Sequence, residues 1–158
     1  MHEYHEFLKS KARVDTATGL DQVPALNPML YPHQRDMVRW ALRRGRAALF
    51  ADCGIGKGPM QMEWADKQPH ECIISAPLAV AHQFVREGQK FGIDLAYAKD
   101  QAGVTKRITV TNYERLENFN LEQFGAVALD ESSILKNSFG AYSTWMVEAF
   151  KNTPFRLC

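Results

Sequence analysis

The stretch "ADCGIGKGPM", residues 51–60, carries the residue types that can hold a polyphosphate. Gly54 and Gly56 let the backbone turn its N–H groups inward around phosphate oxygens, and Lys57 reaches the terminal ones. Asp52 and Cys53 lead into the loop, and Ile55 and Gly58 complete it. A hydroxyl residue directly after the lysine would supply a magnesium ligand. Here Gly58 and then Pro59 follow instead. Taken alone, the same letters suit a plain glycine turn equally well.

A second constellation closes the run "GAVALDE", residues 125–131. Asp130, at the end of an apolar strand, is where a magnesium-holding carboxylate is expected, and Glu131 beside it would polarise an attacking water. An acidic pair can also cap the next helix. Its position on the same sheet edge as the lysine loop favours the metal. A third lies in "YPHQ", residues 31–34. Gln34 carries both a donor and an acceptor and can pair with an adenine edge, with the flat ring of Tyr31 nearby. Without the other two constellations, a solvent-facing glutamine at a helix start would be the simpler reading.

These residues need elements to bring them together, and the chain has the rhythm of such elements. Residues 2–12 place Tyr4, Phe7, Leu8 and Ala12 roughly on one helical face. Thr16 to Pro32 is punctuated by Gly19, Pro24 and Pro28, as a loop or extended arm is. His33 to Arg44 is amphipathic and closes near Gly45. Short apolar runs at 46–51, 71–77, 108–113 and 125–131 then alternate with helical stretches, and "FRLC" at 155–158 begins one more. This alternation predicts an α/β fold with a mainly parallel sheet covered on both faces. In such a sheet, ligands bind at the carboxyl ends of the strands. The stretches "ADCGIGKG", "SAPLAV", "TNYE" and "LDESS" should all fall on that edge.

With 158 residues, 46% of them hydrophobic, the chain can bury one core. A formal charge of +1 argues against a basic-tail nucleic-acid binder, although a local cationic face would not show in the sum. Cys53, Cys72 and Cys158 share no metal-ligand spacing, and reduced thiols in a cytoplasmic compartment are expected. The charged start is unlike a secretory signal, and no apolar run approaches the ~20 residues of a membrane span.

Residues 30–158 resemble the first RecA-like domain of a superfamily 2 (DEAD/DEAH-like) helicase or translocase. They most resemble the SNF2-like helicases of phages and prophages. "LYPHQRDMVRWAL" is similar to the adenine-reading glutamine motif, and "ADCGIGKG" to motif I, AxxGxGKT. "SAPLAVAHQFVREGQKFG" resembles motif Ia, "ITVTNYERL" motif Ib, and "VALDESSILKN" motif II. The resemblance divides the chain into an N-terminal helix and arm, residues 1–29, and an ATP-binding lobe, residues 30–158. It implies ATP and Mg2+ as cofactors, with Gln34 reading adenine and Gly54, Gly56 and Lys57 on the β and γ phosphates. Asp130 would hold magnesium and Glu131 would be the hydrolytic base. Pro77, Leu78, Thr111 and Asn112 would border the path of a nucleic-acid strand, most readily double-stranded DNA, through backbone contacts.

The sequence departs from that pattern at Gly58, where motif I has threonine, at Pro59, and at Ser133, where motif II usually has histidine or aspartate. The resemblance also implies a T-A-T-P strand exit and a second RecA-like lobe supplying arginines, and neither follows "TPFRLC" here. The expected function is that of an ATP-binding lobe from a helicase or translocase, weakly active by itself, in a bacterial or phage-infected cytoplasm. The alternative is a non-catalytic module that kept the fold and binds nucleic acid or protein. A small P-loop kinase would keep the hydroxyl and has no use for the glutamine.

Overall fold

Apolar strands covered on both faces bury every residue, and three strands here do so: β2 (Cys72–Ala76), β4 (Ile108–Asn112) and β5 (Ala126–Leu129). The computed structural model describes residues 17–51, 54–131 and 140–158. Within these, β1 (Arg46–Ala47), β3 (Leu95–Tyr97) and β6 (Phe155–Leu157) join the same sheet. Its order is β1-β6-β5-β2-β4-β3, and every pairing is parallel. The register sets Ser75 beside both Thr111 and Leu129, so β2, β4 and β5 end level with one another.

The pleat sends alternate residues to opposite faces. Cys72, Ile74 and Ala76 join a core with Val110 and Ala128 under three helices. These are α1 (Pro32–Arg44), α2 (Lys57–Asp66) and α3 (Leu78–Phe91), which contribute Val38, Leu42, Met60, Trp64 and Phe84. Ile73, Val127 and Leu129 face the other way, onto Leu116, Phe124 and Met146. Met146 belongs to α4 (Ala141–Ala149), and Leu116 to a 3-10 turn over Tyr113–Asn118. The fold is the doubly covered parallel α/β sheet that the alternation predicts.

Two anchors fix α2, which carries the glycine-rich loop at its start. The Arg107 guanidinium, just before β4, donates to the carbonyls of Asp66 and Gln68, each at 2.8 Å, and of Ala65 at 3.2 Å. A cation on the last carbonyls of a helix satisfies orphan acceptors and complements the helix dipole. The second anchor is the arm, residues 17–31. Its Thr18, Gly19 and Leu20 N–H groups donate to the carbonyls of Arg44, Arg43 and Leu42 at the end of α1. Further along, Asn27 N–H donates to the Glu63 carboxylate of α2 at 2.8 Å, and its side-chain amide donates to the Phe91 carbonyl of α3 at 2.7 Å.

Several element boundaries differ from the sequence expectation. The strand expected over 46–51 is only Arg46–Ala47, because its one partner, β6, pairs with it only at those two residues. Phe50 is 94% exposed and stands outside the sheet. Strand β3 and helix α4 have no counterpart in the sequence reading. The helix expected over 2–12 lies outside the described residues. Among the described residues, no helix is long and apolar enough to cross a membrane.

Candidate functional site

Gly56 precedes α2 with φ of 82°, and Gly54 has φ of 86°. Both lie in the left-handed region that favours glycine. A Cβ on Gly56 would also stand 2.5 Å from the Gln34 amide nitrogen, so no other residue fits there without moving that side chain. In front of Gly54 there is open space. Gly56 offers no side chain to cap α2, and the first turn of α2 holds no acidic residue. The free N–H groups and positive end of the helix dipole therefore face the cleft with no capping group from their own helix, which suits an anion. Pro59 is the third residue of α2, where its missing N–H costs no helical hydrogen bond.

The cleft is a cavity of about 450 Å³ bounded by Gly54, Gly56, Lys57 and Gly58 on one side and by Gln83, Phe84 and Glu87 of α3 on another. Asp130 lines it too, so the lysine loop after β1 and the acidic exit of β5 share one space. Lys57 Nζ donates to the Ala51 carbonyl at 3.0 Å. Glu87 enters from α3, and a Cβ placed on Gly58 would sit 3.6 Å from its Oε2. The other Glu87 oxygen accepts from Gln83 Nε2 at 2.6 Å.

Asp130 is held by its backbone: its N–H donates to the Ser75 carbonyl at 2.9 Å, and its carbonyl accepts from the Tyr113 hydroxyl. Burial raises the proton affinity of its carboxyl above the usual range, and the neighbouring Glu131 adds to this. A hydrogen bond from Gln61 and the charge of Lys57 act in the opposite sense. Glu131 is exposed and has φ of 59°, a left-handed conformation that costs roughly 1–2 kcal/mol for a residue with a Cβ. Such strain collects where a side chain must be aimed.

Gln34 and Tyr31 behave differently from each other. Gln34 is 5% exposed, and both ends of its amide are already engaged with backbone. Its Oε1 accepts from the Tyr31 N–H at 2.9 Å, and its Nε2 donates to the Ile55 carbonyl at 2.8 Å. It therefore ties the start of α1 to the glycine loop, with one N–H and one lone pair left over. The Tyr31 ring is exposed and stacked on His33, with centroids 5.9 Å apart and planes within 7°. Asp52, Cys53 and Ser133 lie outside the described residues.

The four expected strand contacts separate into two pairs. Pro77 and Leu78 are exposed at the start of α3. Thr111 is fully buried and its hydroxyl donates to the Ala98 carbonyl at 2.9 Å. Asn112 is buried as well, donating to Glu114 and accepting from the Tyr97 hydroxyl. Thr111 and Asn112 are thus occupied in holding β3 and β4 together, because the β4 carboxyl end is covered on both faces.

Gln61 and Glu87 are the site residues that sequence reasoning missed. Glu87 sits on a different element and carries no motif signal. Gln61 had one: it lies one helical turn beyond Lys57, on the helix that the loop leads into. It is 4% exposed, and its Oε1 is buried without a hydrogen-bond partner among the described residues. A buried acceptor left unpaired costs about 1–3 kcal/mol.

No family model matches this chain, and no curated protein does. Solved structures do match. The SWI2/SNF2 ATPase core of Sulfolobus solfataricus, solved in complex with double-stranded DNA, is similar over 86% of this chain and 33% of its own, with a TM-score of 0.65 and 19% identity. The UvsW helicase of bacteriophage T4 is similar over 98% of this chain and 58% of its own, with a TM-score of 0.67 and 15% identity. A second structure of T4 UvsW matches over 87% and 31%, at the same score and identity. The fold is that of a RecA-like α/β domain. The chain spans less than two thirds of each of these structures. Within this fold, Gly54, Gly56 and Lys57 follow β1 and Asp130 follows β5, with only β6 between those strands.

Proposed function

We propose that this chain is the ATP-binding lobe of a SNF2-like superfamily 2 helicase or translocase, whose parent activity couples ATP hydrolysis to movement on nucleic acid. The observation that carries this reading is the shared cleft. One ammonium, two left-handed glycines and a helix N-terminus open onto the same 450 Å³ space as the carboxylate of Asp130. Such a space suits a polyphosphate carrying a divalent cation. Gly54, Gly56 and Lys57 would hold the phosphates and Asp130 the magnesium, which neutralises charge developing on the transferred phosphoryl group. Glu131 would orient and deprotonate the attacking water, and Gln34 with Tyr31 would receive the adenine. Pro77 and Leu78 would lie on the nucleic-acid side, by analogy with the neighbour solved on double-stranded DNA. A second RecA-like lobe would supply the arginines that close the site, in the cytoplasm of a bacterial or phage-infected cell.

Titration calorimetry with ATP and ADP, with and without magnesium, tests this reading. The parent chain should bind both nucleotides, and Lys57→Ala should weaken binding roughly 10- to 100-fold, the worth of one charge-assisted contact. Equal affinity in parent and variant would remove the phosphate loop. A second reading, a module that kept the fold without using ATP, draws on two observations. Gly58 brings no hydroxyl, and the Glu87 carboxylate enters the cleft where phosphate would lie. Absence of nucleotide binding by the parent chain would favour it.

A further inference from the structure

The inference below rests on the nucleotide reading and concerns how a divalent cation is held when Gly58 offers no oxygen. Position 58 faces α3: a Cβ built there would stand 3.6 Å from Glu87 Oε2 and 4.0 Å from the Phe84 ring. The oxygen of a serine or threonine lies one bond beyond its Cβ. A carboxylate oxygen therefore already borders the space that the missing hydroxyl would fill. Glu87 is half-buried and lines the cleft together with Asp130. Its two oxygens are placed differently. Oε1 accepts from Gln83 Nε2, one turn earlier on α3, at 2.6 Å, and Oε2 is the one that faces the loop. Neither lysine on the cleft pairs with it. Lys57 donates to the Ala51 carbonyl, and Lys90 forms no ion pair among the described residues. Carboxylate oxygens are the hard ligands that magnesium and manganese take.

We propose that Glu87 is a cation ligand of this cleft, its Oε2 standing in for the hydroxyl absent at position 58. Asp130 from the exit of β5 and Glu87 from α3 then supply one carboxylate each to a divalent cation that accompanies the phosphates. The sign of the effect separates this role from plain repulsion. Without metal, the Glu87 charge opposes an incoming phosphate. With metal, the same charge favours the nucleotide, because the cation joins the two.

Two readouts on the full chain test this: ADP affinity without metal, by calorimetry, and manganese affinity in the presence of ADP, by electron paramagnetic resonance. Glu87→Gln should tighten metal-free ADP binding about two- to fivefold, as removal of a partly screened like charge does. It should weaken manganese binding roughly 10- to 100-fold, the worth of one charge-assisted contact. Adding Gly58→Thr to Glu87→Gln should recover most of the manganese affinity, since a hydroxyl returns to the place that Oε2 serves. Parent-like manganese affinity in Glu87→Gln, or tighter nucleotide binding with metal as well as without, overturns the proposal and leaves the nucleotide reading intact. A double variant that recovers no manganese affinity overturns it as well. A parent chain that binds no ADP, with or without manganese, overturns both. Should Glu87→Gln fail to fold, Glu87→Asp decides. It keeps the charge and withdraws the carboxylate by one carbon, so metal-free ADP affinity should stay near the parent's while manganese affinity falls. Equal manganese affinity in Glu87→Asp and the parent would then sink the proposal.

Discussion

The Lys57 ammonium donates to a neutral carbonyl, that of Ala51, and a phosphate oxygen is the stronger acceptor for it. Exchanging one for the other should be favourable, which is why Lys57→Ala is expected to cost binding rather than stability. Gly58 invites the opposite substitution. A Cβ there meets only Glu87 Oε2 at 3.6 Å and Phe84 at 4.0 Å, both ordinary contacts, so Gly58→Thr fits. Replacing a glycine in the first turn of a helix should also stabilise the fold by roughly 0.5–1 kcal/mol. Gly58→Thr is expected to tighten nucleotide binding in magnesium and change metal-free binding little. Calorimetry of the parent and the variant, with and without magnesium, checks this, and equal affinity in magnesium would speak against the loop as a metal-assisted phosphate site. That the loop glycines, Lys57 and Asp130 come to one space was legible in the sequence because each ends an apolar run with a local pattern. The pairing of Gln34 with the Ile55 carbonyl was not, since it joins residues from two elements and depends on the exact approach of α1 to the loop.

Among the elements, those with long runs were legible. The helix from His33, the run 71–77 and the helix after it all appear within a residue or so of their expected bounds. Strand β3 was missed because three residues, Leu95–Tyr97, carry too little periodicity to register, and β1 was overestimated because strand length depends on the partner. How tightly β3 is seated can be measured through α3. A Cβ on Gly88, a buried residue of α3, would fall 2.9 Å from Leu95 Cδ2 and 3.2 Å from the Ile93 carbonyl. In an exposed helix, glycine to alanine gains roughly 1 kcal/mol. Overpacking here costs roughly 1–3 kcal/mol, and the backbone carbonyl cannot swing aside as a leucine tip can. Gly88→Ala should therefore lower Tm by a few degrees in thermal unfolding, and a rise in Tm would mean that the α3–β3 seam is looser than its geometry indicates.

For the molecule as a whole, a net charge of +1 leaves only local features to attract a polyanion. The edge that bears Pro77 and Leu78 is expected to bind duplex DNA weakly, with a Kd of roughly 10⁻⁴–10⁻⁶ M, without sequence preference and through the phosphate backbone. Fluorescence anisotropy should show affinity falling steadily from low to physiological salt. Flat salt dependence, or strong preference for one sequence, would rule out a translocase track. The arm has a mechanical consequence for the same cleft. Asn27 joins α2 through Glu63 and α3 through the Phe91 carbonyl, and these are two of the walls of the cavity. A pull on the chain from its N-terminal side would first load the three backbone bonds of residues 18–20 on α1. It would next load Asn27, well before the strain reached the sheet. Asn27 thus ties together the two helices that wall the cleft, from a segment that is not itself part of the cleft lining.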